Sequence, residues 1–431
     1  MMGYGARTGT ATDRHDPLFV RALYAEAGGR LLLLEIDVCL IAVAQADALR
    51  ERIAGRTGLA KEQVMVGCIH THSGPDTGLL PVLLGRGTPP EVEPLFDAVV
   101  EAGVRAFESA EPARLAVGRV DVRIGRNRRV ESGRMDPHAV VARFDRLDGS
   151  PLAVLYVHGC HPTALGHDNL HYSADWPGRA SRVVEERLPG AVAIFALGAH
   201  ADVDPRTRGL LDLAISGQSV GVGFEEMEAL GREVGVAVAE CASALESQTD
   251  FDVASASTKV PIAVHGAERR EEHLEGRKRD ALRALGLPPD LDPSTGEWYR
   301  LEVEHTRGLA PEEVRERVSA VRLLLRDRMA KRIAQGLRSD VEAQVLRLGP
   351  IWLLALPLEA TVDVGGAWRR ATGDLGAVLS IANGWLRYLP CEDHYREPEA
   401  AFHYEILNAT FVPSAAQTLV SAGLELRSEL A

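Results

Sequence analysis

The sequence is short of cysteine, of aromatic residues and of unbroken apolar runs, and each shortage removes a class of protein. Its five cysteines, Cys39, Cys68, Cys160, Cys241 and Cys391, are an odd number and form no Cys-x-x-Cys pair. That argues against a disulfide framework and for packed, reduced thiols in a reducing compartment. No four consecutive residues are Lys or Arg, and the net charge is −13 with a pI near 5.6. Nucleic acid and anionic membrane surfaces are therefore excluded as main partners. The longest apolar stretch, Leu31 to Leu49, is broken by Glu35, Asp37, Gln45 and Asp47, so it falls short of the ~20 apolar residues of a membrane span. The opening MMGYGARTGTATDRHDP has no basic start followed by an apolar core, and a cytoplasmic location is expected.

What is present is ordinary globular material. Hydrophobic residues make up 46% and charged residues 25% of 431 positions, enough to bury a sizeable core. LFVRALYAEAGGRLLLLEI predicts two strands joined at a Gly-Gly turn. Helical spacing follows from Asp47 to Arg56. A β-rich run ends at HTHSGPDTG, and an amphipathic helix is predicted over 90–110 with Phe96, Val99, Val100, Val104 and Phe107 on one face. Strands are predicted over 114–124, 139–144, 152–160, 191–197, 343–348, 351–356 and 377–382, with helices over 178–188 and 225–245. This alternation predicts an α/β fold of mixed sheets flanked by helices, with the chemistry on loops at strand ends. The charge-rich text between His265 and Ser339 predicts a helical hairpin, inserted into a single domain spanning 1–431, with a solvated face.

Histidine is concentrated in a few places. His70-Thr71-His72-Ser73-Gly74-Pro75 puts two imidazoles two residues apart, on one side of an extended strand. Such a pair suits a metal, and hydrogen-bonded structural histidines are the alternative. VHGCHPTALGHDNLHYSADWPG holds His158, His161, His167 and His171. A regular strand cannot aim both His158 and His161 at one site, and Pro162 favours an extended His161 directed out of the strand end. Gly198-Ala199-His200-Ala201-Asp202-Val203-Asp204-Pro205 follows a buried strand. Asp202 and Asp204 there suit metal binding, orientation of an imidazole, general base work or simple turn formation. Bottom-up reading gives Glu359 and Tyr388 little prominence beyond an acid closing a very apolar strand.

The order of HTHSGP, HP at 161–162, SADWPG, ADVDP, LPLEA, NGWLRYLP and the Tyr404-Glu405 pair resembles the catalytic domain of neutral/alkaline ceramidases. The resemblance runs from about residue 2 to 420. It implies a ceramidase-like metallohydrolase without the family's C-terminal β-sandwich domain. It further implies one zinc ion per chain held by His70, His161, Glu359 and Tyr388, with His72, Arg128, Asp204 and Tyr404 as catalytic residues. Where the family has Gly-Asp-x-Ser-Pro, this chain has Ala201-Asp202-Val203-Asp204-Pro205, so Asp204 replaces the serine. The function expected is a zinc-dependent hydrolase that cleaves a linear amide of a small-molecule N-acyl compound through a metal-activated water, with a small polar substrate preferred to ceramide. A hydrolase or lyase acting on an ester or lactam is the alternative, and a non-catalytic metal-binding or ligand-binding protein the second.

Overall fold

The computed structural model describes residues 1–431 except 5–6, 8, 80–81, 83–86, 130–132, 209–220, 264–282, 284–287, 289–339 and 398–403. The helical hairpin expected over 265–339 thus lies outside the described residues, apart from two isolated positions.

The first hairpin forms as its alternation requires. Strands β1 (Val20–Ala27) and β2 (Gly29–Ile36) pair antiparallel, and Gly28 turns the chain at φ +74°, where a side chain would be strained. Helix α1 (Val43–Thr57) crosses over to β3 (Val64–Cys68), which lies parallel to β2. The helix closes on Gly58 in the left-handed region, its N–H bonded to the Ala54 carbonyl. Helix α2 (Glu93–Glu108) buries Phe96, Val99, Val100 and Val104, the stripe its spacing predicts.

A second sheet contains β4 (Ala113–Asp121), β5 (His138–Arg146), β6 (Pro151–His158) and β7 (Val192–Leu197), in the order β7-β6-β5-β4. Its β6 and β7 are parallel, and α3 (Asp175–Arg187) lies between them in sequence. Helix α4 (Phe224–Ala244) packs on α3. A third sheet has the order β8 (Val253–Pro261), β9 (Asp340–Leu348), β10 (Ile351–Ala355), β11 (Ala377–Leu379). Helices α5 (Val362–Thr372) and α6 (Ala415–Leu430) complete the described helical layer beside it.

The three sheets share one apolar layer, to which Leu31, Leu33 and Met65 come from the first, Leu155 and Ile194 from the second, and Leu346 and Leu353 from the third. Leu32, Leu34, Tyr156 and Phe195 face the other way, towards α1 to α4. Both faces of these strands are covered, which explains why the sequence reads Leu31-Leu32-Leu33-Leu34 without polar alternation. Trp368 and Leu419, on α5 and α6, bury the outer face of the third sheet. The result is a mixed α/β architecture of helices, sheets and helices in layers, as expected. All five cysteines are free. Among the described residues no helix is long and apolar enough to cross a membrane.

Candidate metal centre

Four chain segments leave the C-terminal ends of β3, β6, β7 and β10, and each delivers one side chain to a common point. His70, His161, His200 and Glu359 are all buried, and one donor atom from each lies within 4.8 Å of the others. The Nε2 atoms of His70, His161 and His200 lie 3.6, 3.5 and 3.5 Å from the same oxygen, Glu359 Oε2. The other carboxylate oxygen, Oε1, accepts a bond of 2.8 Å from the Trp385 indole N–H. This fixes which oxygen faces the imidazoles.

The three rings are oriented alike. His70 Nδ1 lies 3.0 Å from the Cys39 carbonyl, His161 Nδ1 3.0 Å from that of Val203, and His200 Nδ1 3.0 Å from that of Gly198. A carbonyl only accepts, so the neutral tautomer of each ring carries its proton on Nδ1 and turns the Nε2 lone pair inward. Burial pushes His70 down to about 4 and His161 to about 3, so both rings are neutral at pH 7. Burial opposes the charge of Glu359, but His70, His161 and His200 around it outweigh that and hold the carboxylate well below its usual range. His200 Nε2 and Glu359 Oε2 are buried without a hydrogen-bond partner. Inward lone pairs around a carboxylate oxygen repel one another unless a cation lies between them, so the donor set fits a metal.

His70 and His72 do come together, with Nε2 atoms 3.3 Å apart, but not by strand alternation. Strand β3 ends at Cys68, and His70 takes φ +69° while its N–H donates to the Val38 carbonyl. That conformation is uncommon for a non-glycine residue. The ring of Tyr4 meets His72 edge-on at 4.6 Å between centroids, and Arg7 Nη1 donates to the His72 carbonyl at 2.7 Å. Neither residue was singled out from the sequence. His158 stays outside the cluster, with its Nδ1 3.4 Å from the His138 carbonyl and its ring against Trp176, as the face argument required.

Arg128 stands next to the centre. Its Nε donates to Glu405 at 2.7 Å and its Nη1 to Asp204 Oδ1 at 3.3 Å, and that same oxygen is 3.5 Å from His161 Nδ1. Arg128 Nη2 is buried and unpartnered. The guanidinium lies 5.8 Å from the Tyr388 ring centre and 5.1 Å from that of Tyr404. Tyr388 is buried and pairs in parallel register with Glu359, which puts the two on one side of a short ladder. Burial, with Glu359 and Tyr404 nearby, pushes the Tyr388 phenol well above its usual range.

Asp202 and Asp204 are already matched by cations. Despite burial, Arg208 and Arg128 hold Asp204 down at about 2. Asp202 accepts the Val362 N–H at 2.8 Å and faces Asn127 and Arg129 at 3.3 and 3.5 Å. The charge that Asp204 adds is therefore balanced inside the protein, by Arg128 and by Arg208 four residues on in the same loop. Arg206 instead pairs with Glu233 at the surface.

A buried imidazole–carboxylate centre on the loops of a layered α/β protein is the class that fold and site define. The chain belongs to the neutral/alkaline non-lysosomal ceramidase family, whose N-terminal model matches residues 1–220. It is 23% identical over 458 residues to the neutral ceramidase of Mycobacterium tuberculosis, covering 92% of this chain and 70% of that protein. It is 25% identical over 485 residues to the neutral ceramidase of Pseudomonas aeruginosa, covering all of this chain and 70% of that one. Among solved structures, a ceramidase complexed with C2 matches with a TM-score of 0.69 at 21% identity, over 100% of this chain and 73% of that one. The crystal structure of the Pseudomonas aeruginosa neutral ceramidase gives 0.66 at 22% identity, over 100% and 72%. These structural likenesses speak for the fold. Family membership supports hydrolysis of a non-peptide amide bond.

Proposed function

We propose that the protein is a zinc-dependent hydrolase that cleaves the linear amide bond of a small-molecule N-acyl compound. The observation that carries this reading is the convergence of buried, neutral imidazoles on the unpartnered Glu359 Oε2. His70, His161 and Glu359 would hold the ion, with Tyr388 beside them. When bound, zinc supplies a Lewis acid that polarises a carbonyl and lowers the pKa of water towards ~7.

The remaining work falls to the chain's own side chains. His72, whose Nδ1 is enclosed without a hydrogen-bond partner, accepts the proton of the attacking water and returns it to the leaving nitrogen. The C–O bond forms and the C–N bond breaks, giving a carboxylic acid and an amine. Arg128 Nη2 is a buried donor with nothing to bond, and it serves the developing oxyanion with Tyr404 alongside. Asp204 acts through Arg128 and His161: it fixes the guanidinium and faces the imidazole Nδ1. With both oxygens facing Arg128 and Arg208, it is a weaker candidate for the base than His72, whose Nδ1 has no partner.

The neutral ceramidases among the relatives are named for a lipid amide. For this chain the proposed substrate is a smaller, polar N-acyl compound, since only 5% of its residues are aromatic and no apolar anchor helix was found in the sequence. The test is turnover of a panel running from short polar N-acyl amides to long-chain ceramide, with zinc-loaded wild type and Arg128→Met. Hydrolysis of short amides, reduced roughly 10²–10³-fold in the variant at unchanged zinc content, is expected. Robust ceramide turnover without cleavage of small polar amides would overturn the substrate class, and no amide cleavage at all would overturn the reaction.

A further inference from the structure

We infer that His200 is itself a metal ligand, so that three imidazoles and one carboxylate converge on the ion. The inference rests on the proposal that the cluster holds a metal, and it changes which residues do so.

His200 is oriented like the other two histidines. Its Nδ1 is 3.0 Å from a backbone carbonyl, as theirs are. Its Nε2 is 3.5 Å from Glu359 Oε2, the distance found for His161. Bonds of about 2.0–2.1 Å to a tetrahedral ion place neighbouring donors roughly 3.3–3.4 Å apart, so these separations are close to the edges of such a polyhedron. The rings of His200 and His161 meet at 70° with centroids 4.4 Å apart, an edge contact that leaves both Nε2 atoms free to converge.

The alternative for His200 is a hydrogen bond from Nε2 to Glu359. The neutral tautomer that donates its Nδ1–H to the Gly198 carbonyl has no proton on Nε2 to donate. Nε2 and Oε2 would then be two acceptors facing each other, fully buried, and neither has another partner. A cation between them removes the conflict. The backbone also sets this pair deliberately: the N–H groups of His200 and Ala201 both donate at 2.9 Å to the carbonyl of Ala360, the residue after Glu359. The segment that follows β7 and the short Glu359–Ala360 strand are thus pinned together, each carrying one of the converging donors.

Four protein donors would fill a tetrahedral ion, so an open position requires expansion to five-coordination.

The test counts imidazoles and measures affinity, both independent of turnover. Zinc-loaded wild type is examined by X-ray absorption. Chelator-stripped protein is titrated with Zn²⁺ against a chromophoric chelator for wild type, His200→Asn and His161→Ala. Asparagine can keep a side-chain N–H towards the Gly198 carbonyl while removing Nε2. Three imidazoles in the wild type and at least a 100-fold weaker affinity in His200→Asn are expected. Two imidazoles in the wild type, or His200→Asn binding as wild type while His161→Ala does not, overturns the role of His200 and leaves the metal reading standing. No metal in the wild type overturns both. If His200→Asn fails to fold, the imidazole count in the wild type decides alone.

Discussion

Arg50 shows at the level of one residue how this chain buries charge away from its centre. Its side chain is fully enclosed. Nε donates to the Val64 carbonyl at 2.8 Å, and Nη1 and Nη2 grip both oxygens of Glu342 at 2.7 and 2.9 Å. One guanidinium thereby ties α1 to β3 and to β9. Removing it leaves a strand carboxylate without its cation and the Val64 carbonyl with only the longer bond from Gln344 Nε2, at 3.5 Å, so Arg50→Met should cost roughly 3 kcal/mol. The check is the urea midpoint, with metal content measured beside it and expected to be unchanged. Arg50→Lys should recover little, because a point charge cannot reproduce the two-pronged grip. A midpoint equal to wild type for Arg50→Met would refute this account of the pair. At the same scale, His70, His161 and His200 were all visible as histidines near strand ends, but Trp385 and Arg208 were not. Nothing in sequence marks an indole or a guanidinium as a carboxylate's partner until the fold brings them together.

Elements were legible where the pattern is local. The β1–β2 hairpin, α2 and its buried stripe, and the strands β5 to β7 follow from alternation, spacing and turn residues. The alternation argument failed at His70 because the strand stops two residues earlier and the backbone turns left-handed; local sequence does not encode that, since the bond to Val38 stabilises it from another strand end. Asp37, just beyond β2, gives an element-level prediction. Its Oδ2 accepts the Phe19 N–H at 2.8 Å and faces Arg21 at 3.4 Å, yet burial pushes the carboxyl up to about 6. The unfolded chain releases this proton near ~4. Folded protein therefore holds more protons between those values, and stability falls as pH rises from about 4 through 6. Asp37→Asn removes the titration, so wild type should lose stability relative to the variant across that window. Parallel urea midpoints at pH 4.5 and 7 would contradict it.

At the scale of the molecule, the centre draws on residues 70, 161, 200 and 359, which reach it from three different sheets' strand ends. Their convergence is set by the shared apolar layer between the sheets, and no spacing rule in sequence specifies it. Only the resemblance to a family put His70, His161 and Glu359 in one site beforehand; His200 is set beside them by the backbone bonds from His200 and Ala201 to the Ala360 carbonyl. A metal bound by such distant segments couples their positions, and losing any ligand should release it.

The most direct test is therefore elemental analysis of protein purified without chelator or nickel affinity, for wild type beside His161→Ala and Glu359→Ala. About one zinc per chain in the wild type, lost in both variants, is the predicted result. A wild type without metal, or variants that retain it in full, would contradict the account.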